Sequence, residues 1–304
     1  MRAVHQTEVA GLELLNRGKV RDIYAVGDDH LLLVASDRIS AFDVVLPRPV
    51  PGKGIILTQL SIFWFELLQD VTPNHVVETD VMKMPDPIPA NAEVLRGRSL
   101  LVKRAHVHPA ECIARGFLLG SGWKDYQASG TLCGIELPEG LKKNHRFDPP
   151  LFTPSTKAEA GAHDENISYE ALVGAVGNDL AAELKDRTLQ VFDTARRHAE
   201  SRGVVICDTK FEWGEIAGKT ILVDEVLTPD SSRFWRKEDA DTVLPAGNPP
   251  SYDKQVVRDF LETLDWNKKD PGPELPDEIL QTARGRYIEI FERICGRSVP
   301  CLDD

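Results

Sequence analysis

The sequence is short of cysteine, of long apolar runs and of positive charge, and each shortage closes a class of function. Its five cysteines (Cys112, Cys133, Cys207, Cys295 and Cys301) are odd in number and contain no C-x-x-C pair. Neither a disulfide framework nor a zinc cluster is therefore expected, and a reducing cytoplasm suits the chain. The most apolar stretch, Ile55 to Leu68, covers 14 residues and includes Gln59, Ser61 and Glu66. That is short of the roughly 20 residues needed to cross a bilayer, so no membrane partner is expected. Met1 to Glu8 lacks the apolar run of a signal peptide, and the mature chain is expected to start there. With 36 Lys and Arg against 48 Asp and Glu, the net charge is −12. Such a surface repels a phosphate backbone, which argues against nucleic acid; an anionic small molecule would need a local basic site.

Three catalytic signatures are also missing. There is no G-x-x-x-x-G-K-[ST] loop, and Gly52-Lys53-Gly54 fails the G-x-G-x-x-G pattern because Leu57 stands at its last position. Any nucleotide site is thus neither a Walker loop nor a Rossmann crossover. No G-x-S-x-G elbow occurs, and no cysteine stands out as a nucleophile.

What is present suits a compact protein. The 304 residues, 42% apolar and 28% charged, are enough for two domains or lobes around a cleft. From Gly11 to Ser36, short apolar runs are broken by Gly18 and by Gly27-Asp28-Asp29, which predicts successive antiparallel strands with Leu31 to Ala35 buried. A helix is expected to open at Thr58 with Leu60, Phe63, Trp64, Leu67 and Leu68 on its core face. Prolines at 85 to 89 precede a strand expected at Ser99 to Arg104. Cys133 to Asp164 lacks periodicity and reads as a long surface loop. A single helix is expected from about Ser168 to Arg202, followed by a hairpin of Val204 to Trp213 and Thr220 to Val226. A polar connection around Pro245 to Pro250 then leads to a terminal helix marked by Ile279, Leu280, Ala283, Tyr287, Ile290, Phe291 and Ile294.

The hairpin carries the most chemistry. Strand alternation puts Asp208, Lys210 and Glu212 on one face. If the loop centres on Gly218, Glu212 lies opposite Asp224. Opposed carboxylates repel unless protons or a cation intervene, and Mg²⁺ would resolve the conflict. A solvated polar sheet face explains the same pattern. In the first hairpin, Gly18-Lys19-Val20-Arg21 offers a close backbone approach and two cations pointing one way, which suits a polyphosphate but also an ordinary charged edge. Arg115-Gly116, Gly120-Ser121-Gly122 and Ser231-Ser232-Arg233 supply guanidinium forks, hydroxyls and amides of the kind that hold a phosphate monoester, although arginines near turns are common on surfaces. His106 and His108 share a strand face without a third ligand, and a structural or exposed role is expected for both.

Taken together, several segments resemble the SAICAR synthetase family of purine biosynthesis. They are Gly18-Lys19-Val20-Arg21-Asp22-Ile23-Tyr24, Ser36-Asp37-Arg38-Ile39-Ser40-Ala41-Phe42-Asp43, Glu111-Cys112-Ile113-Ala114-Arg115-Gly116, Gly120-Ser121-Gly122-Trp123-Lys124, Phe152-Thr153-Pro154-Ser155-Thr156-Lys157, Asp208-Thr209-Lys210-Phe211-Glu212 and Asp224 through Trp235. The length and central insertion are similar to the longer, fungal-like form.

The resemblance implies an α+β fold of two lobes, 1–110 and 111–304, with antiparallel sheets and flanking helices around an ATP cleft. It implies a carbon–nitrogen ligase that joins L-aspartate to carboxyaminoimidazole ribonucleotide, with ATP as co-substrate, Mg²⁺ as cofactor and an acyl phosphate on the path. By position, Gly18, Lys19, Arg21, Lys103 and Glu111 would serve ATP, and Glu212 and Asp224 would hold the metal. Arg115, Ser121 and Arg233 would grip the ribonucleotide phosphate. Asp208 and Lys210 would be catalytic near its reacting carboxylate, with Lys157 and Asp164 on the central loop nearby. The longer form also points to a monomer. A kinase-like phosphotransferase and a non-catalytic nucleotide-binding module are the two other classes that the residues leave open; aspartate-dependent ADP release separates the first, and any ADP release the second.

Overall fold

The computed structural model describes residues 3–157, 164–243, 249–252 and 254–302. Parts of the expected N-terminal start (1–2), central loop (158–163) and polar connection (245–248) lie outside the described residues. The architecture is α+β. Strands β1 (Leu14–Arg17), β2 (Arg21–Val26) and β3 (His30–Ala35) form the expected meander. A small hairpin follows, β4 (Ser40–Ala41) with β5 (Val44–Val45), and then helix α1 (Lys53–Leu67). β6 (Val76–Glu78), the short α2 (Ala92–Leu95) and β7 (Ser99–Lys103) complete an antiparallel sheet of order β1-β2-β3-β7-β6.

Helix α1 starts five residues before the expected Thr58, and Lys53 to Leu57 are all buried. It lies between the first sheet and the C-terminal helix, so it has almost no solvent face and no single apolar stripe to reveal its start. Trp64 is buried in the main core and Phe63 packs against it.

The second sheet starts two residues after β7 ends. It comprises β8 (His106–Phe117), β11 (Arg146–Thr156), β12 (Val204–Ile216), β13 (Lys219–Val223) and β14 (Ser232–Arg236), in the order β11-β8-β12-β13 with β14 also on β12. Between β8 and β11 lie α3 (Gly120–Ser129) and the hairpin of β9 (Thr131–Leu132) and β10 (Ile135–Glu136). The expected loop at 133–164 is therefore largely structured. β11 escapes pattern reading because Phe152 to Ser155 are buried consecutively, and because its prolines, which break a central strand, are tolerated at an edge.

The expected helix 168–202 is two helices, α4 (Tyr169–Val176) and α5 (Asn178–Ser201), divided at Gly177, whose φ of +86° a side chain would oppose. One side of the two helices faces the core, with Leu172, Leu184, Thr188, Phe192, Ala195 and Ala199 buried and Val176 and Leu180 partly buried against it. Helices α6 (Lys237–Val243), α7 (Gln255–Glu262) and α8 (Asp277–Cys295) follow, and α8 packs on α1. His108 is buried and His106 exposed, with ring centroids 6.4 Å apart. No described helix is long and apolar enough to cross a membrane.

Candidate active site

The hairpin register differs from the one expected. Ala217 and Gly218 form a two-residue loop between paired Ile216 and Lys219, so Glu212 faces Val223 and not Asp224. The carboxylate opposite Glu212 is Glu111, on the neighbouring strand β8. Asp224 leaves β13 with a left-handed φ of 65° and reaches the site by a turn instead of a ladder position.

Lys210 neutralises the Glu111 and Glu212 pair: its Nζ bonds Glu111 and lies 3.5 Å from Glu212. Lys157 bonds Glu212 from the far side at 2.5 Å. Burial would raise the Glu212 carboxyl, but Lys210 and Lys157 outweigh it and hold it below its ordinary value. Glu111 is pushed upward by burial, with Lys210 only partly opposing. The Lys210 ammonium is raised against its own burial by Glu111 and Glu212.

Across the cleft, β2 brings Arg21 to Asp224 at 2.6 Å and to Glu225 at 3.6 Å. Asp224 is raised by burial and by its acidic neighbours Glu212 and Glu225, even with Arg21 beside it. This is an oxygen-donor site short of positive charge. Among the described residues, no cluster of three or more metal-ligating side chains is assembled. Glu212 and Asp224 carry the kind of carboxylate oxygens by which an ion such as Mg²⁺ is held, one or two at a time, with phosphate oxygens and water completing its shell.

The glycine turn that carries Lys19 is braced from beneath. Arg38, buried and paired with Asp22 at 2.8 Å, donates to the carbonyls of Gly18 (2.9 Å) and Lys19 (3.1 Å). Lys19 itself is about half exposed and bonds Asp43. Lys103 is exposed at the end of β7, and no ion pair among the described residues joins it to the acids. Asp164 is exposed but acts on Glu111 through its charge.

A second cluster lies four residues back along β12. Asp208 is opposite both Arg115 and Arg233 in the ladders, and it accepts from their guanidinium groups at 3.2 and 3.1 Å. Arg115 also donates to Thr153 Oγ1 (2.9 Å), Ser121 Oγ (3.0 Å) and Asn166 Oδ1 (3.3 Å). Burial lowers the Arg115 pKa despite Asp208. Arg115, Ser121, Asp208 and Arg233 border a cavity of about 170 Å³. Arg115, Ser121 and Arg233 thus converge, with Asp208 bracing the two arginines. Asn166 was not foreseen, and neither were Asp43, Glu225 or a buried trio of Lys53, Asp230 and Lys254. Asp43, Glu225 and Asp230 stand inside segments that carry the resemblance, but neither periodicity nor spacing singles them out.

The SAICAR synthetase family model matches residues 14–273. The phosphoribosylaminoimidazole-succinocarboxamide synthase of Trichlorobacter lovleyi is 53% identical over 296 residues, 97% of this chain and 99% of the relative. The synthase of the same name from Pelobacter propionicus is 52% identical with the same coverage. Among solved structures, the SAICAR synthase from Saccharomyces cerevisiae complexed with SAICAR superposes with a TM-score of 0.85 at 40% identity, covering 97% of this chain and 99% of that one. A SAICAR synthetase (type 2) in complex with ADP gives 0.68 at 25% identity, with 94% and 99% covered.

Proposed function

The chain belongs to the SAICAR synthetase family, and from that premise we propose how its residues divide the work of the reaction. The enzyme is an ATP-dependent ligase that joins L-aspartate to carboxyaminoimidazole ribonucleotide, giving SAICAR, ADP and phosphate in purine biosynthesis. In our reading the ribonucleotide lies along β12. Residues 208 and 212 are separated by about 13 Å of extended strand. Arg115, Ser121 and Arg233 hold the phosphate at one end, and Lys210 faces the reacting carboxylate toward the other.

A carboxylate is a poor acyl donor. In the proposed sequence its oxygen attacks the γ-phosphorus of ATP, the bond to the bridging oxygen breaks and ADP leaves. The aspartate amine then attacks the acyl carbon, the new C–N bond forms, phosphate departs and the amine loses a proton. Two anions must meet in the first step, so neutralising them is the protein's main task. Lys19, Arg21 and the Gly18 turn are placed for the ATP phosphates, with Lys103 and Glu111 at the same nucleotide. Lys210 offsets the reacting carboxylate, and Asp208 keeps the clamp arginines in register. Glu212 and Asp224 would hold Mg²⁺, which supplies charge neutralisation at the phosphates when bound.

The observation that supports this most is the arrangement of two sites along one strand: a guanidinium clamp at 208 and the Glu111–Glu212 acid pair at 212, with Asp224 and Glu225 held by Arg21 across the cleft. We read the protein as a cytoplasmic monomer without nucleic-acid partners, in keeping with its net charge of −12; sedimentation velocity tests the monomer. Glu212→Gln and Asp224→Asn should each abolish turnover and weaken Mg²⁺-dependent ATP binding in calorimetry. Near-normal values in both would reject the metal assignment.

A further inference from the structure

Away from the clamp and the acid pair, three charged side chains meet where solvent hardly reaches. Lys53 is fully buried and donates from Nζ to Asp230 Oδ2 at 2.6 Å, while Lys254 Nζ lies 3.2 Å from Oδ1 of the same carboxylate. Burial lowers the Lys53 pKa in spite of Asp230, whereas Lys254 and Lys53 overcome burial and hold the Asp230 carboxyl at about 2. Within the cluster two cations share one anion, and Glu225 adds a negative charge from beside Lys53. Both lysines also stand at helix starts, Lys53 as the first residue of α1 and Lys254 just before α7, where the peptide dipoles oppose a cation. Stability alone gives little reason for such a cluster, since apolar residues of similar volume commonly serve a core as well or better.

The cluster does hold a functional turn. Asp230 sits at the tip of a turn closed by the N–H groups of Ser231 and Ser232, which donate to the Thr228 carbonyl at 3.1 and 2.8 Å. The Ser231 carbonyl accepts from the Lys210 N–H at 3.0 Å, and the next residues of the chain deliver Arg233 to Asp208. On the other side, the Lys254 carbonyl accepts from the Arg258 N–H at 2.9 Å. Arg258, Asp230, Ser231 and Arg233 all border the 170 Å³ cavity. Lys53 also borders a separate hollow beside Arg21, Asp224 and Glu225. One buried carboxylate therefore ties the start of α1, the 228–232 turn and the start of α7 into one unit.

We infer that Lys53 is a positioning residue: through Asp230 and Lys254 it fixes the 228–232 turn and α7 against α1, and so aims Arg233 at the ribonucleotide phosphate. The inference rests on the clamp reading above. Lys53→Met is one atom shorter, fills most of the same volume and removes the charge. Calorimetric titration of the variant should show the ribonucleotide Kd raised on the order of 10-fold, with a clearly smaller change in the Kd for Mg-ATP. Asp230→Asn should reproduce this pattern, and the double variant should be no worse than either single one, because both act on the same link.

A folded Lys53→Met with wild-type ribonucleotide affinity overturns the inference, as does an equal loss of ATP affinity or additive losses in the double variant. Should Lys53→Met fail to fold, Asp230→Asn decides by the same limits. Should both fail, the double variant decides, because it removes the buried pair together. Arg233→Lys is titrated alongside. A loss of ribonucleotide affinity there, without one in Lys53→Met, rejects the positioning role alone; no loss in Arg233→Lys removes the clamp and this inference with it.

Discussion

Gly120→Ala separates the cost of folding from the cost of binding at the phosphate clamp. Gly120 has a φ of +58°, and a Cβ built on it would overlap the Arg233 guanidinium, lying 2.8 Å from Cζ where ordinary contact begins at 3.4 Å. The left-handed conformation costs an L side chain about 1–2 kcal/mol. The overlap itself adds little to that, because it is with the far end of a flexible side chain that can retreat. The Cζ contact alone requires a retreat of about 0.6 Å and the nearer Nη1 and Nη2 require more, which is enough to take the 3.1 Å bond from Arg233 to Asp208 out of hydrogen-bond range. It also moves one arm of the clamp off the position that Arg115 and Ser121 share. A charge-assisted hydrogen bond from the displaced guanidinium to the ribonucleotide phosphate contributes about 1.5–3 kcal/mol, so losing it should raise the ribonucleotide KM by roughly 10- to 100-fold. The melting temperature should fall by only a few degrees, on the order of 2–4 °C per kcal/mol for a chain of this size. Steady-state kinetics with each substrate varied in turn, together with a thermal melt, tests both parts. A folded variant whose ribonucleotide KM is unchanged, or whose ATP KM rises by the same factor, would refute the placement of the phosphate against Arg233.

Other outcomes follow from individual contacts. Lys19 is half exposed and, among the described residues, forms an ion pair with Asp43, so Lys19→Ala should leave stability within about 0.5 kcal/mol while lowering kcat/KM for ATP. Unchanged ATP kinetics in this variant and in Arg21→Ala would remove the glycine turn from the ATP site. Thr188→Val deletes the acceptor of the buried Trp213 indole N–H, now bonded at 3.0 Å, and should destabilise by about 1–3 kcal/mol in denaturant unfolding. Burial lowers the His75 pKa from 6.5 to about 4, against a hydrogen bond from the ring to the Asp224 backbone. The unfolded chain therefore binds a proton that the folded one refuses, and the contribution is full above pH 6.5 and lost as pH falls toward 4. That loss amounts to about 3 kcal/mol. His75→Phe should flatten the stability profile in this window, and an unchanged slope would show that other groups set it.

The sequence determined by itself whatever depends on local spacing. The β1–β3 meander, the stripes of α5 and α8 and the run from Asp208 to Glu212 follow from alternation, helical period and turn residues, because each of these acts over a few neighbouring positions. The resemblance supplied the family and the clamp residues. Tertiary structure decided the rest. α1 hides its start because it is buried nearly all round, and β11 hides because its prolines sit on an edge strand whose last residues are covered on both faces. The logic of opposed carboxylates was sound, but the partner of Glu212 is Glu111, brought from β8 by sheet order, while a one-residue difference in the hairpin moved Asp224 off the ladder. The Lys53 ion pair joins residues 177 apart in sequence. No local pattern marks such a contact, because burial costs both partners their hydration and only the packed fold brings them close enough for their attraction to offset that cost.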